Sequence, residues 1–246
     1  GLRARKRRPS GAMVADTDVV VSYGDVVLRR RDALTLMDGE WLNDQVITFF
    51  LEYLKREAPG SGPKVEFLHA SLVHLVACLP DQDQVDSVLS SLSLGEKEVV
   101  LAPINDSTDP SEPESGSHWS LLVYCRHDGR FCHYDSLGGS NDERAEAMAG
   151  KLGPSLGCSE GATRVTRVKQ MPRQANGCDC GLFAMAVAEG VMCVTEPWAF
   201  PSALESDSSQ LLARVRTMRG DVLSLLARLQ RKAEITTSMA FLDADF

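Results

Sequence analysis

The chain has 246 residues, 43% of them hydrophobic, and a formal net charge of −8. That length and apolar content suit one soluble domain with a real core, and no apolar run approaches the ~20 residues needed to cross a bilayer. The acidic balance argues against nucleic acid as the main ligand, because phosphate binding needs a basic face, and it suits a partner whose contact segment is basic.

Seven cysteines at uneven spacing, with no secretory leader ahead of them, read as reduced thiols of the cytosol or nucleus. Residues 1–13 form a basic leader carrying Arg3, Arg5, Lys6, Arg7 and Arg8. It reads as a solvated, disordered tail, with a nuclear-import signal as the alternative. One domain is expected over residues 14–232, and a loose tail over residues 233–246.

Within the domain, the β-branched run Val19–Tyr23 predicts a short strand. From Asn43 to Arg56, apolar residues fall at Val46, Ile47, Phe49, Phe50, Tyr53 and Leu54, which is helical spacing, with Asn43 or Asp44 as N-cap. The Gly- and Pro-rich stretch from Pro59 to Pro63 stops that helix. Ser71–Cys78 predicts a second helix, Val85–Leu94 is ambiguous, and Val99–Ala102 is an apolar strand. Residues 106–117 are an acidic, Pro- and Ser-rich loop whose composition builds no packed core and so lies on the surface.

His118–Tyr124 and Arg130–Tyr134 then read as two antiparallel strands, with the hairpin signal Asp128-Gly129 between them. Arg164–Val168 predicts another strand. Leu182–Val194 is apolar on almost every side, as a central buried helix should be. Leu211, Val215, Met218, Val222, Leu225 and Leu229 mark an amphipathic helix interrupted near Gly220-Asp221.

Cys180 stands at the mouth of the apolar helix, where unpaired backbone N–H groups favour a thiolate, the form of cysteine that attacks a carbonyl carbon. Such catalysis also needs a base and a group that orients the base. His118 begins one predicted strand and Asp135 ends the next. Asp135 would accept from one imidazole nitrogen of His118, leaving the other to take the Cys180 proton and return it to the leaving amine. Strand arithmetic opposes this grouping. A two-residue turn at Asp128-Gly129 pairs Asp135 with Leu122, four residues from His118, or about 13 Å at ~3.3 Å per residue. A longer loop, a bulge or a bend at His118 has to close that gap.

Gln174, six residues before Cys180, offers its amide N–H₂ to a developing oxyanion together with the backbone N–H of Cys180. Taken alone, a loop glutamine is a surface residue. Cys125, Cys132, His133, Cys178 and Cys180 lack the pair spacing of a structural zinc site, so no metal and no organic cofactor is expected. Cys78, Cys158 and Cys193 read as small buried hydrophobes. Cys178 reads as a redox-sensitive neighbour, and His69, His74 and His127 as structural or surface residues.

Four segments carry a family resemblance: Trp41-Leu42-Asn43-Asp44, His118-Trp119-Ser120-Leu121, Tyr134-Asp135-Ser136 and Gln174-Ala175-Asn176-Gly177-Cys178-Asp179-Cys180-Gly181. In this order they resemble the ubiquitin-like-protease, or sentrin-specific protease, cysteine peptidases over roughly Val19 to Lys232. The resemblance implies a papain-like α+β fold, its central buried helix carrying the nucleophile and packing on a mixed sheet. It implies catalysis by Cys180, His118 and Asp135 with Gln174 at the oxyanion. It also implies a narrow tunnel walled by Trp41 and Trp119, through which only glycine passes, with Asp44 and the acidic loop helping to bind the modifier. Without the resemblance both tryptophans read as core residues.

The segments Val21 to Arg30, Ala102 to Asp106 and His133 to Ser136 resemble the deneddylase branch, while Tyr134 to Gly139 also resembles SUMO proteases. The expected protein is a monomeric cysteine-type isopeptidase that cleaves after the diglycine of the neddylation modifier, in precursors and conjugates, without nucleic acid or membrane. A SUMO-specific protease, an acyltransferase on the same fold and an inactive binding module stand as alternatives. The intact His118, Asp135, Cys180 and Gln174 disfavour the last.

Overall fold

In a computed structural model describing residues 16–58, 62, 64–107, 109, 116–159, 163–194 and 196–243, the chain opens on an antiparallel ribbon. Its strands are β1 (Val19–Tyr23) and β2 (Val26–Arg29), followed by helices α1 (Arg30–Leu34) and α2 (Asp44–Glu57). Next come β3 (Val65–Phe67), α3 (Ala70–Cys78), α4 (Gln82–Leu89), β4 (Val99–Asn105), β5 (Trp119–Cys125) and β6 (Arg130–Tyr134). The rest comprises α5 (Asp142–Leu156), β7 (Val165–Arg167), α6 (Cys180–Cys193), α7 (Phe200–Ser206) and α8 (Ser209–Asp243).

Strands β3 to β7 lie side by side in chain order as one mixed sheet. The pairs β3–β4 and β6–β7 are parallel, and β4–β5 and β5–β6 antiparallel. Alternate residues feed two separate cores, which is why the central strands read as continuous apolar runs rather than as alternating ones. Leu101, Leu121, Val123 and Tyr134 join the core built with α2, α6 and α8. Val100, Ile104, Leu122, Tyr124 and Phe131 join the core built with α3, α4 and α5. Helix α6 lies against β5, α2 and α8, so nearly all of it is buried and apolar, with Glu189 and Cys193 reaching its margin. This is the expected α+β arrangement, a buried helix on a mixed sheet.

Asn43 caps α2 as its sequence position suggests, its side chain accepting from the Val46 N–H at 3.1 Å. The same amide donates to Asp32 Oδ1 at 2.8 Å, and Asp32 is only 2% exposed. Asn43→Ala therefore removes a cap and one donor to a buried carboxylate. The expected loss is about 2 kcal/mol, summing ~1 for the cap and ~1 for the weakened buried group. A shifted urea midpoint with unchanged slope is the check.

Three local expectations change. The β5–β6 loop is four residues, Arg126 to Gly129, since Cys125 faces Arg130 and Leu121 faces Tyr134. Helix α8 passes through Gly220-Asp221 without interruption, because Met218 and Val222 are both buried in the core and packing outweighs the local cost of glycine. It also continues to Asp243, past Lys232. The leader 1–13, most of Pro59 to Pro63 and most of the acidic loop lie outside the described residues. Among the described residues, no helix is long and apolar enough to cross a membrane.

Candidate active site

Because β5 and β6 run antiparallel, the residue before β5 and the residue after β6 meet at one end of the sheet. Extending the observed register places Asp135 opposite Ser120, two residues from His118. The longer loop thus shifts the register by two and removes half of the ~13 Å gap. His118 and Asp135 are then diagonal neighbours across the two strands, within reach of their side chains, and His118 Nε2 lies 2.8 Å from Asp135 Oδ1.

Asp135 is built to stay ionised. Besides His118, its oxygens accept from the backbone N–H of Leu137 at 2.7 Å and of Asn141 at 2.9 Å. Burial opposes the charge, but these hydrogen bonds outweigh it and hold the carboxyl down at about 2. For His118, burial likewise opposes the imidazolium, while Asp135 and then Cys180 favour it more strongly and push its pKa up to about 9. Its second nitrogen, Nδ1, is buried and has no hydrogen-bond partner among the described residues. Cys180, 3% exposed, is the first residue of α6 and acts on His118 as its neighbouring sulfur group.

Gln174 is fixed from two sides. Its backbone N–H donates to the Ser136 carbonyl at 3.1 Å, and its Oε1 accepts from the Ser136 hydroxyl at 2.7 Å. Its Nε2 donates to the Asn176 carbonyl at 2.7 Å, which leaves one amide proton for another acceptor. Asn176 in turn accepts from the N–H groups of Cys178 and Asp179, shaping the turn that leads into α6.

Trp41 is 52% exposed, so it is no core residue. Trp119 is half-buried, and the two indoles line one cleft together with Leu42, Asn43 and Asp44. Trp119 Nε1 donates to the Leu42 carbonyl at 3.0 Å. Leu42 also packs on the first turn of α6, where a Cβ at Gly181 would stand 3.0 Å from the Leu42 Cβ. Glycine at 181 lets the tryptophan segment approach the helix that Cys180 opens this closely. Asp44 opens α2, where a carboxylate suits the positive helix start, and it is half-exposed to the cleft.

Several supporting residues escaped sequence reasoning. Asn141 is fully buried and donates to the carbonyls of His118 and Ile104 and to the Ser120 hydroxyl. Asp106, which the sequence placed in the acidic loop and in a family-like segment without a role of its own, accepts from the His118 N–H at 2.9 Å and so fixes the start of β5. Ser136, to which its sequence position assigns no role, holds Gln174 through its carbonyl and hydroxyl. Local signals for Asn141 and Asp106 are turn signals, and their task is set by contacts distant in sequence.

Among the described residues, one group of side chains, His133, Asp135 and Asp142, has the proximity a metal site would need. Its donor atoms are already engaged. His133 bonds Asp142 and Ser120, Asp142 pairs with Arg167, and Asp135 holds His118. Burial, helped by Arg167, pushes His133 down to about 4, so it stays neutral in this network.

The remaining thiols differ partly from expectation. Cys78 and Cys158 are half-buried and Cys193 is exposed: Cys78 and Cys193 are the last residues of α3 and α6, and Cys158 follows the end of α5. Burial raises the thiols of Cys125, to about 12, and of Cys132, Cys178 and Cys193. His74 lies against Cys78, and His127 stacks on Trp198 with ring centroids 4.0 Å apart.

Residues 40–216 match the family described as the Ulp1 protease family, C-terminal catalytic domain. The chain is 30% identical over 227 residues to NEDD8-specific protease 1 of Arabidopsis thaliana, covering 89% of this chain and 97% of the relative. It is 34% identical over 224 residues to sentrin-specific protease 8 of Mus musculus, with the same two coverages. Among solved structures, a de-sumoylating protease superposes with a TM-score of 0.71 at 15% identity, over 92% of this chain and 96% of that one. The Ulp1 protease domain in complex with SMT3, the yeast ortholog of SUMO, superposes with a TM-score of 0.59 at 18% identity, over 84% and 87%. These structural likenesses show a shared fold. With the family match spanning most of its length and relatives at 30–34% identity, the chain belongs to the Ulp1 protease family and is a cysteine-type peptidase.

Proposed function

We propose that this peptidase hydrolyses the bond after the C-terminal diglycine of NEDD8, in precursors and in conjugates. The observation that carries the choice of modifier is the 30–34% identity, over nearly the whole chain, to relatives named NEDD8-specific protease 1 and sentrin-specific protease 8. The structures of SUMO proteases share the fold at 15–18% identity, too little to speak for their substrate.

In this reading the modifier's tail lies in the cleft between Trp41 and Trp119, where glycine alone is slim enough to pass the indoles, and Asp44 contributes to binding. Cys180 Sγ attacks the carbonyl carbon of the last glycine. The imidazolium of His118 donates its Nδ1 proton to the leaving amine, then accepts a proton from the water that hydrolyses the thioester. Asp135 holds the imidazole through Nε2 and stabilises its positive form. The developing oxyanion is met by the Cys180 N–H and by the free proton of Gln174 Nε2.

Gln174→Ala is expected to lower kcat by about two to three orders of magnitude with little change in KM, because an oxyanion donor acts on the transition state. Steady-state kinetics on a fluorogenic NEDD8 amide reads both constants. The modifier itself is tested by kcat/KM on matched NEDD8, SUMO and ubiquitin C-terminal amides. Preference for NEDD8 is expected. Preference for SUMO overturns the choice of modifier, and transfer of an acyl group without hydrolysis overturns the reaction.

A further inference from the structure

Arg219 of α8 is 8% exposed, and the chemistry above makes no use of it. Its guanidinium makes four hydrogen bonds. Nη1 donates to the carbonyls of Thr35 and Met37, both at 3.0 Å, and Nη2 donates to the Glu40 carbonyl at 2.8 Å and to Asp179 Oδ1 at 3.0 Å. The three carbonyls belong to the loop that runs from α1 into Trp41. The carboxylate belongs to the residue directly before Cys180. One planar fork therefore grips the backbone behind a wall of the cleft and the turn that presents the thiol.

We propose that Arg219 is a positioning residue that locks the Trp41 loop to the Asp179-Cys180 turn and offsets the charge of Asp179, the residue directly before the reacting cysteine. The proposal rests on the reading of Cys180 as nucleophile. Asp179 Oδ2 is held separately by Asn176 Nδ2 at 2.8 Å, so the carboxylate is fixed at the start of α6, on the residue directly before the one whose sulfur must become negative. A second negative charge there disfavours the thiolate unless a cation compensates it. Arginine suits both tasks, since its rigid fork serves partners on two segments at once. A lysine ammonium keeps the charge but lacks the reach and planarity to hold all four.

The two contributions separate by experiment. Wild type, R219K, R219M, D179N and R219M/D179N are compared by the rate of Cys180 alkylation with iodoacetamide, without substrate, and by kcat and KM on the fluorogenic NEDD8 amide. Melting temperatures are recorded alongside. R219M is expected to slow alkylation about tenfold and raise KM about tenfold, small displacements at a reacting centre being costly. Adding D179N is expected to restore alkylation but not KM, because the loop carbonyls remain unheld. R219K, which also carries the test where R219M does not fold, is expected to keep alkylation near wild type while KM rises.

A merely structural arginine would lower the melting temperature in R219M and R219K alike and give neither the rescue nor the split. That pattern overturns the proposal, as does an unchanged KM in R219K. Wild type that resists alkylation at Cys180 sinks the nucleophile reading and this coupling with it. Normal wild-type alkylation with an unaltered R219M sinks the coupling alone.

Discussion

Cys180→Ala is expected to abolish turnover while leaving NEDD8 binding measurable. Loss of the nucleophile of a hydrolytic triad removes on the order of 10⁶ in kcat, since the surviving oxyanion donors have no covalent intermediate to stabilise. The fold should tolerate the change. Cys180 is buried at the first position of α6, and alanine keeps the Cβ and favours the helix. Binding should persist because Trp41, Trp119 and Asp44 keep their places in the cleft. Turnover of the amide and calorimetric binding, run on the same preparation, separate the two effects. NEDD8 carrying a C-terminal electrophile should label Cys180 in preference to Cys125, Cys132, Cys178 and Cys193, whose raised thiols hold little thiolate at neutral pH. Turnover retained by Cys180→Ala overturns the nucleophile assignment.

How much of this site could be read before folding depends on the reach of each interaction. The N-cap at Asn43 and the strands Val19–Tyr23 and Arg130–Tyr134 follow from local rules, and the structure reproduces them. The helix start at Cys180 is equally local, because the apolar run and the turn before it are contiguous. Helix α5 is harder to foresee. It contains Gly150, Gly153 and Pro154, which depress local propensity, yet its buried face of Ala145, Met148, Ala149, Leu152 and Leu156 has the helical period.

The meeting of His118 with Asp135 hangs on a loop length. The Asp128-Gly129 signal suggests two residues, but the loop takes four, and each residue of register is worth ~3.3 Å along the strand. Asn141 and Arg219 lie beyond any local rule. Each satisfies backbone carbonyls that are near only once the sheet and α8 are assembled.

Asp135→Asn should lower kcat/KM by about 10⁴ and move the alkaline limb of the rate profile down from near pH 9 toward the ordinary imidazole value of 6.5. In the proposed mechanism the working form carries His118 protonated, and the limb marks loss of that proton. Removing the Asp135 charge removes the chief support of the imidazolium. Geometry adds a second fault, because both Asp135 oxygens already accept backbone N–H groups. Asparagine has only one accepting atom. With its N–H₂ toward Asn141 it sets donor against donor, and with its N–H₂ toward His118 it forces Nε2 to accept, placing the proton on the wrong imidazole nitrogen.

The stability signs follow from the same two shifts. The raised His118 contributes stability that is full below about pH 6.5 and is lost as pH rises through about 9. The depressed Asp135 contributes stability that is present above about pH 4 and is lost as pH falls through about 2. Wild type should therefore exceed Asp135→Asn in melting temperature by more at pH 6 than at pH 10. Rate profiles over that range and melts at its two ends make the test. An alkaline limb that stays in place in Asp135→Asn would show that Asp135 does not set the basicity of His118.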